Sequence, residues 1–289
     1  MAQPRVRLLA LDIDGTLLRS DKTISERTRH AIDRAREGGV RLVLVTGRRQ
    51  PSARRVAEDL GGDVPLVLHN GALVVERGRV LRCRPLPRAS ARRAIHSGRA
   101  AGAEPVLHCG SKGEGWLFVE AAARQGGLVG YYLDRSRSEV RVVPDLLAAV
   151  DAEEPIQVMF GGARGEMEAL LPVLVAELGC AARIERTVYP STGVVLLDVL
   201  AASVGKAEAL GFLQERWGIA PSETLAIGDN WNDREMVETA GLGFVMGNAD
   251  PEMLALGLAA LPTNDEDGVA HAIEEHVLRP QGRSRSGPS

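Results

Sequence analysis

The sequence predicts an α/β protein whose doubly wound, Rossmann-like parallel sheet is interrupted by an inserted α+β cap domain. Three observations carry this expectation. Short apolar runs alternate with helical stretches from Arg7 to Leu68, the pattern changes to residue-by-residue alternation after Asn70-Gly71, and the strand-helix alternation resumes at Lys206.

Arg7 to Ile13 (RLLALDI) is an apolar run that ends in acidic residues and Gly15, as a buried strand entering a loop does. Ser25 to Gly38 reads as helix, Val40 to Val45 as a second buried strand stopped by Thr46-Gly47, Pro51 to Leu60 as helix and Pro65 to Leu68 as strand. LVVERGRVLRC alternates apolar and polar residues around Gly78, the sign of an antiparallel hairpin. A different unit follows, from Pro85 to about Leu200. Its expected elements are a helix (Ala89 to Ala101), strands near Val106 and at Trp116 to Val119, a strand Ile156 to Phe160, a helix Glu166 to Leu178, and strands Ala181 to Thr187 and Val194 to Leu200. Lys206 to Trp217 returns to helix, Thr224 to Ile227 to a buried strand, and Asp233 to Ala240 to helix. The division expected is therefore core (1–84), cap (85–200) and core again (201–278). The Pro-, Gly- and Ser-rich tail 279–289 is expected to be disordered. Two further glycine-rich stretches, Gly241 to Gly247 and Gly161 to Gly165, read respectively as lacking the strand-to-helix setting of a dinucleotide fingerprint and as a turn before a helix.

Bulk properties exclude several function classes. With 45% apolar and 25% charged residues the chain has ordinary globular composition. A net charge of −3 gives no general attraction to nucleic acid or anionic lipid. No run of 18 apolar residues occurs, and the N-terminus meets an acidic pair before a signal-length run develops, so a cytoplasmic protein without a membrane span is expected. Cys83, Cys109 and Cys180 are far apart and form no CxxC pair, which suits idle thiols in a reducing compartment.

The chemistry sits at strand ends. Asp12 and Asp14 flank Ile13 at the tip of the first strand, where an open parallel sheet gathers its ligands. Two carboxylates so close invite a cation, and hard oxygen ligands suit Mg²⁺, although Asp-x-Asp-Gly also builds ordinary loops and calcium sites. At the second strand's end, the Thr46 hydroxyl and the backbone N–H groups of Thr46-Gly47-Arg48 suit phosphate oxygens. Lys206 opens a helix after Ser203-Val204-Gly205, where its ammonium could neutralise phosphate charge or simply be solvated. Gly228-Asp229-Asn230-Trp231-Asn232-Asp233 again follows an apolar strand; Asp233 there could be no more than a helix cap. Asn70-Gly71 reads equally as pocket lining or hairpin turn, and His69 as a packing residue.

DIDGTLL, VTGR, the GK of SVGKAEAL and GDNWND, in that order, together with MGNADPEM and NDEDGVAHAI, make the sequence resemble the haloacid dehalogenase-like phosphatases, specifically the Cof-type subclass IIB with a large α/β cap. The resemblance implies a phosphatase acting on small phosphorylated metabolites, among them sugar phosphates, through an aspartyl-phosphate. Asp12 would be the nucleophile and Asp14 the general acid and later base. Mg²⁺ would be held by Asp12, the Asp14 backbone carbonyl and Asp229. Thr46, Gly47, Asn70, Asn232 and Lys206 would bind the phosphoryl group, with Asn232 and Asp233 orienting Asp12, Lys206 and the metal's surroundings. Asp14 would need a carboxyl pKa raised towards neutrality. A sugar phosphomutase, and a non-catalytic Mg²⁺-binding regulator, are the competing readings. Arg135, Arg137 and Gln157 are polar cap residues without a pattern that names a ligand.

Overall fold

The computed structural model describes residues 5–121, 130, 136–189 and 192–279. Two sheets organise it. The eight-stranded core sheet has the order β14-β13-β12-β1-β2-β3-β4-β5. Its strands are β1 (Leu8–Leu11), β2 (Arg41–Val45), β3 (Leu66–Leu68), β4 (Leu73–Glu76), β5 (Arg79–Cys83), β12 (Thr224–Gly228), β13 (Leu242–Val245) and β14 (Ala259–Ala260).

β1 is the hub. It pairs in parallel with β2 (Leu11 opposite Leu44) and with β12 (Leu11 opposite Ile227). From β1 the chain winds outward through β2 and β3, and on the other side through β12, β13 and β14, so the winding direction reverses beside β1. In an open parallel sheet the crevice at the carboxyl ends of such strands is where ligands bind.

All of β1 is buried because both faces of the sheet are covered. Leu9 and Leu11 face α1 (Glu26–Glu37), α2 (Gln50–Asp59) and, near the C-terminus, α8 (Gly268–Ile273), packing with Ile32, Val56 and Val269. Leu8 and Ala10 point the other way, onto α6 (Lys206–Trp217) and α7 (Arg234–Thr239), through Leu210, Leu213 and Met236. Burying a Leu of this kind is worth about 2 kcal/mol. Ser25 caps α1 by accepting from the Thr28 amide at 3.0 Å.

The six-stranded sheet lies between the two core stretches in sequence and has the order β10-β11-β9-β6-β7-β8. Its strands are β6 (Val106–Cys109), β7 (Trp116–Val119), β8 (Val140–Val142), β9 (Gln157–Ala163), β10 (Ala182–Tyr189) and β11 (Val194–Ala201). All pairs are antiparallel except β7 with β8. One face is covered by α3 (Arg88–Ala100), α4 (Leu146–Ala152) and α5 (Arg164–Leu178), against Val158, Phe160, Leu197 and Val199. By the two-residue strand period, Gln157 and Asp198 emerge on the opposite face, where both hydrogen-bond core residues or each other.

Further bonds seat this face on the core. Arg49, buried at the start of α2, donates to the Gly115 carbonyl and to Ser136 Oγ, each at 2.6 Å. Asn230 pairs with the edge of β10 in both directions, donating to the Val188 carbonyl at 2.7 Å and accepting from its N–H at 3.1 Å.

Among the described residues, several elements differ from the sequence reading. Gly161 and Gly162 lie in β9, which runs straight into α5, so the expected turn is strand. Leu242–Val245, inside the Gly241 to Gly247 stretch, is strand β13; a Cβ at Gly243 would stand 1.9 Å from the Val237 carbonyl, which explains the glycine by close packing. β8 and α4 carry too few residues for a clear period. Arg135 and residues 280–289 of the expected tail lie outside the described residues. Among the described residues no helix is long and apolar enough to cross a membrane.

Candidate active site

Asp12 follows β1 directly, and its backbone N–H continues the pairing by donating to the Ile227 carbonyl at 3.1 Å. Asp229 follows β12 and Thr46 follows β2, so all three leave the same edge of the sheet. Lys206, the first residue of α6, is 2% exposed and reaches them from the far face. Its Nζ donates to Asp12 Oδ1 at 2.7 Å and to Asp233 Oδ1 at 2.5 Å. The other Asp233 oxygen accepts from the backbone N–H groups of Asp229 and Asn230, both at 3.2 Å. Asp233 therefore caps its own loop and fixes the ammonium at once.

Carboxylate oxygens of Asp12, Asp229 and Asp233 lie within 4.8 Å of one another, all buried. Three carboxylates beside one ammonium leave an excess of two negative charges that one divalent cation would balance. The pKa shifts express the same excess. Burial, and then the charges of Asp233 and Asp14 against the opposing pull of Lys206, push Asp12 up to about 7. Burial with the Asp12 and Asp233 charges raises Asp229 well above the usual carboxylate range. Such a set of hard, buried oxygens fits Mg²⁺ or a similar ion.

Gly15 makes the geometry possible. Its φ is +77°, and a Cβ there would lie 2.3 Å from Asp229 Oδ2. Asn248 Nδ2 holds the Gly15 carbonyl at 2.8 Å, while Thr16 Oγ1 donates to Asp229 Oδ1 at 3.0 Å.

Asp14 points away from this cluster. Its two oxygens accept from Arg48 Nε and Nη2 at 2.6 and 2.7 Å, with Lys22 Nζ at 3.4 Å. Burial works against ionisation, but the Arg48 hydrogen bonds and charge, with Lys22, outweigh it and hold the carboxyl below its ordinary value. The expected upward shift is thus reversed in this state, because the arginine of the VTGR turn lies against Asp14.

Thr46 is buried, and its Oγ1 accepts from the Arg48 N–H at 3.2 Å. Gly47 lies beside Asn70, whose Oδ1 would be 3.1 Å from a Cβ at Gly47. Asn70 lies in the turn between β3 and β4, is fully buried, and accepts from Asn232 Nδ2 at 2.9 Å. Asn232 bonds to Asn70 and, at 3.4 Å, to Thr187, rather than to Asp12 or Lys206. His69 is buried, its Nδ1 3.2 Å from Gln157 Oε1, and burial lowers it to about 4, which keeps it neutral. Arg137 is exposed on the cap, whereas Gln157 is buried against Asp198.

The model of the haloacid dehalogenase-like hydrolases matches residues 9–273. This chain belongs to that family. Among its relatives are the 5-amino-6-(5-phospho-D-ribitylamino)uracil phosphatase of Bacillus subtilis, 28% identical over 93% of this chain and 98% of that one, and the HMP-PP phosphatase of Citrobacter koseri, 29% identical over 86% and 87%. A haloacid dehalogenase-like hydrolase of Bacteroides thetaiotaomicron has the same fold, with 26% identity, a TM-score of 0.76, and coverage of 93% of this chain and 99% of the other.

Sequence reasoning about this hydrolase misses Arg48, Thr16, Asn230 and Asn248. Arg48 and Thr16 stand inside quoted motifs, where a polar side chain next to an assigned one is a usable signal. Asn230 and Asn248 also stand inside quoted motifs, GDNWND and MGNADPEM, but that Asn248 acts on a carbonyl 233 positions away is fixed only by the fold.

Proposed function

We propose that this hydrolase is a Mg²⁺-dependent phosphomonoester phosphatase acting on small phosphorylated metabolites, sugar phosphates among them, through an aspartyl-phosphate. The observation that carries the reading is the buried Lys206 ammonium shared between Asp12 and Asp233 beside Asp229. The relatives named above as phosphatases of a phosphoribityl compound and of HMP-PP support the substrate class. The site binds no nucleic acid and works in the cytoplasm.

Asp12 is the nucleophile: one of its oxygens attacks phosphorus as the ester P–O bond breaks. Asp14 gives a proton to the departing alcohol, then takes one from the water that cleaves the aspartyl-phosphate. Its pairing with Arg48 makes this possible only when a phosphate competes for the guanidinium, freeing Asp14 to be protonated. Asp12, Asp229 and the Asp14 backbone carbonyl would hold Mg²⁺, which supplies positive charge so that an anionic carboxylate can meet an anionic phosphate. Lys206, Thr46, Gly47, Asn70 and Asn232 bind and orient the phosphoryl oxygens, and Asp233 keeps Lys206 directed at Asp12. Residues 85–200 form the cap, which excludes water, and residues 1–84 with 201–278 the core.

Asp12→Asn keeps the shape of the side chain and removes the nucleophile. Release of phosphate from p-nitrophenyl phosphate is expected to fall by about a thousandfold or more, and EDTA should silence the wild type. Turnover by the variant at the wild-type rate would refute the assignment.

A further inference from the structure

On the helix-free face of the cap sheet, one buried carboxylate makes contacts that none of the roles above uses. Asp198, on β11, is 4% exposed. Its Oδ1 accepts from Gln157 Nε2 at 2.7 Å and its Oδ2 from Asn70 Nδ2 at 2.9 Å. An ionised carboxylate offers acceptors only, so both amides must turn their N–H groups towards it. Asn70 is thereby left with its Oδ1 facing the core, where it accepts from Asn232 Nδ2 at 2.9 Å. Asn232 is fixed in turn, with its N–H groups towards Asn70 and Thr187 and its Oδ1 buried and without a hydrogen-bond partner among the described residues.

Asn70 needs an external hold. His69 and Asn70 have φ values of +50° and +53°, a region that costs energy for residues with a Cβ. The Asn70 N–H donates to the Thr46 carbonyl at 3.1 Å, and the His69 N–H to the Arg48 carbonyl at 3.2 Å, so this strained turn lies directly against the Thr46-Gly47-Arg48 turn. Asp198 thus reaches the phosphate-binding turns from the cap through one amide.

From these contacts we infer that Asp198 is a positioning residue for phosphoryl transfer: a cap carboxylate whose hydrogen bond from Asn70 sets that amide's orientation and, through it, the orientation of Asn232. The phosphate pocket is then correctly oriented only when the cap sheet is seated on the core. The inference rests on the phosphatase reading above.

A double-mutant cycle on the full-length protein tests it, with p-nitrophenyl phosphate and saturating Mg²⁺ at about pH 8, where the carboxyl is ionised. In Asp198→Asn a new N–H group opposes one of the two amides. The expected loss in kcat/KM is about tenfold or more, mostly in kcat, with the urea midpoint little changed. In an Asn70→Ala background the same substitution should change kcat/KM by less than about twofold, because Asp198 acts through Asn70. An unchanged rate in the single variant, or equal losses with and without Asn70, overturns the inference. Should Asp198→Asn fail to fold, Asp198→Ser runs the same cycle. Failure of the phosphatase reading is distinguishable, since it appears as absence of turnover in the wild type.

Discussion

Replacing Lys206 with Met removes a charge from the centre of the acidic cluster while keeping most of the side-chain volume. Lys206 is the ammonium shared by Asp12 and Asp233, at 2.7 and 2.5 Å. Breaking a buried ion pair by deleting one partner costs about 3–5 kcal/mol. The two contacts share one cation, so the cost is not doubled. Part of it is relieved by proton uptake, since burial already pushes Asp12 up to about 7. The full loss, about 3 kcal/mol or more, is therefore expected above neutrality and a smaller one at mildly acidic pH. Mg²⁺ should stabilise the variant more than the wild type, because the variant's site carries one more uncompensated negative charge. Saturating the site at a hundred times its Kd returns about 2.7 kcal/mol. Turnover should nonetheless fall by about a hundredfold or more, since the cation cannot stand where the ammonium met the phosphoryl oxygen. Urea unfolding followed by tryptophan fluorescence, at two pH values and with and without Mg²⁺, reads the stability. A variant as stable as the wild type without Mg²⁺, and unaffected by adding it, would refute the claim that Lys206 compensates these carboxylates.

Two further outcomes follow from the geometry. Gly15→Ala should cost about 2 kcal/mol or more and reduce activity, because its positive φ and the 2.3 Å approach to Asp229 Oδ2 leave no room for a Cβ; a variant equal to the wild type in both melting and turnover would contradict the close approach. Burial, opposed by the Asn70 hydrogen bond and reinforced by the Glu185 charge, pushes Asp198 up to about 7 from 3.8. The folded state then holds this proton more tightly than the unfolded chain, so the carboxyl's contribution is present below about pH 4 and lost as pH rises through about 7. Across that window the stability of Asp198→Asn relative to the wild type should rise and then level off, and a flat difference in paired urea titrations would count against the shift.

What the sequence made legible divides along a physical line. The strands that build the core announce themselves because each is short, apolar on both faces and followed at once by its polar residues: LLAL before Asp12, RLVLV before Thr46, TLAIG before Asp229. Position along the chain and position in the site coincide there, so motif and geometry carry the same information. Lys206 is legible only through the GK of SVGKAEAL and the resemblance that motif carries, since a lysine opening a helix is as readily solvated. Illegible features are those in which a side chain's role is fixed by something distant. Asp14 reads as a carboxyl awaiting a proton, yet Arg48 holds it ionised, and whether that arginine turns inward or towards solvent is decided by tertiary packing that no periodicity records. Asp198 sits in VVLLDVLA, where a lone Asp among apolar residues looks like an interruption of the strand. Its meaning comes from Asn70, 128 positions earlier, which it meets only because the cap sheet folds back over the core. A buried charge in an otherwise apolar strand is costly unless another element satisfies it, so such an interruption is itself evidence of a partner, although the partner's identity must come from the fold.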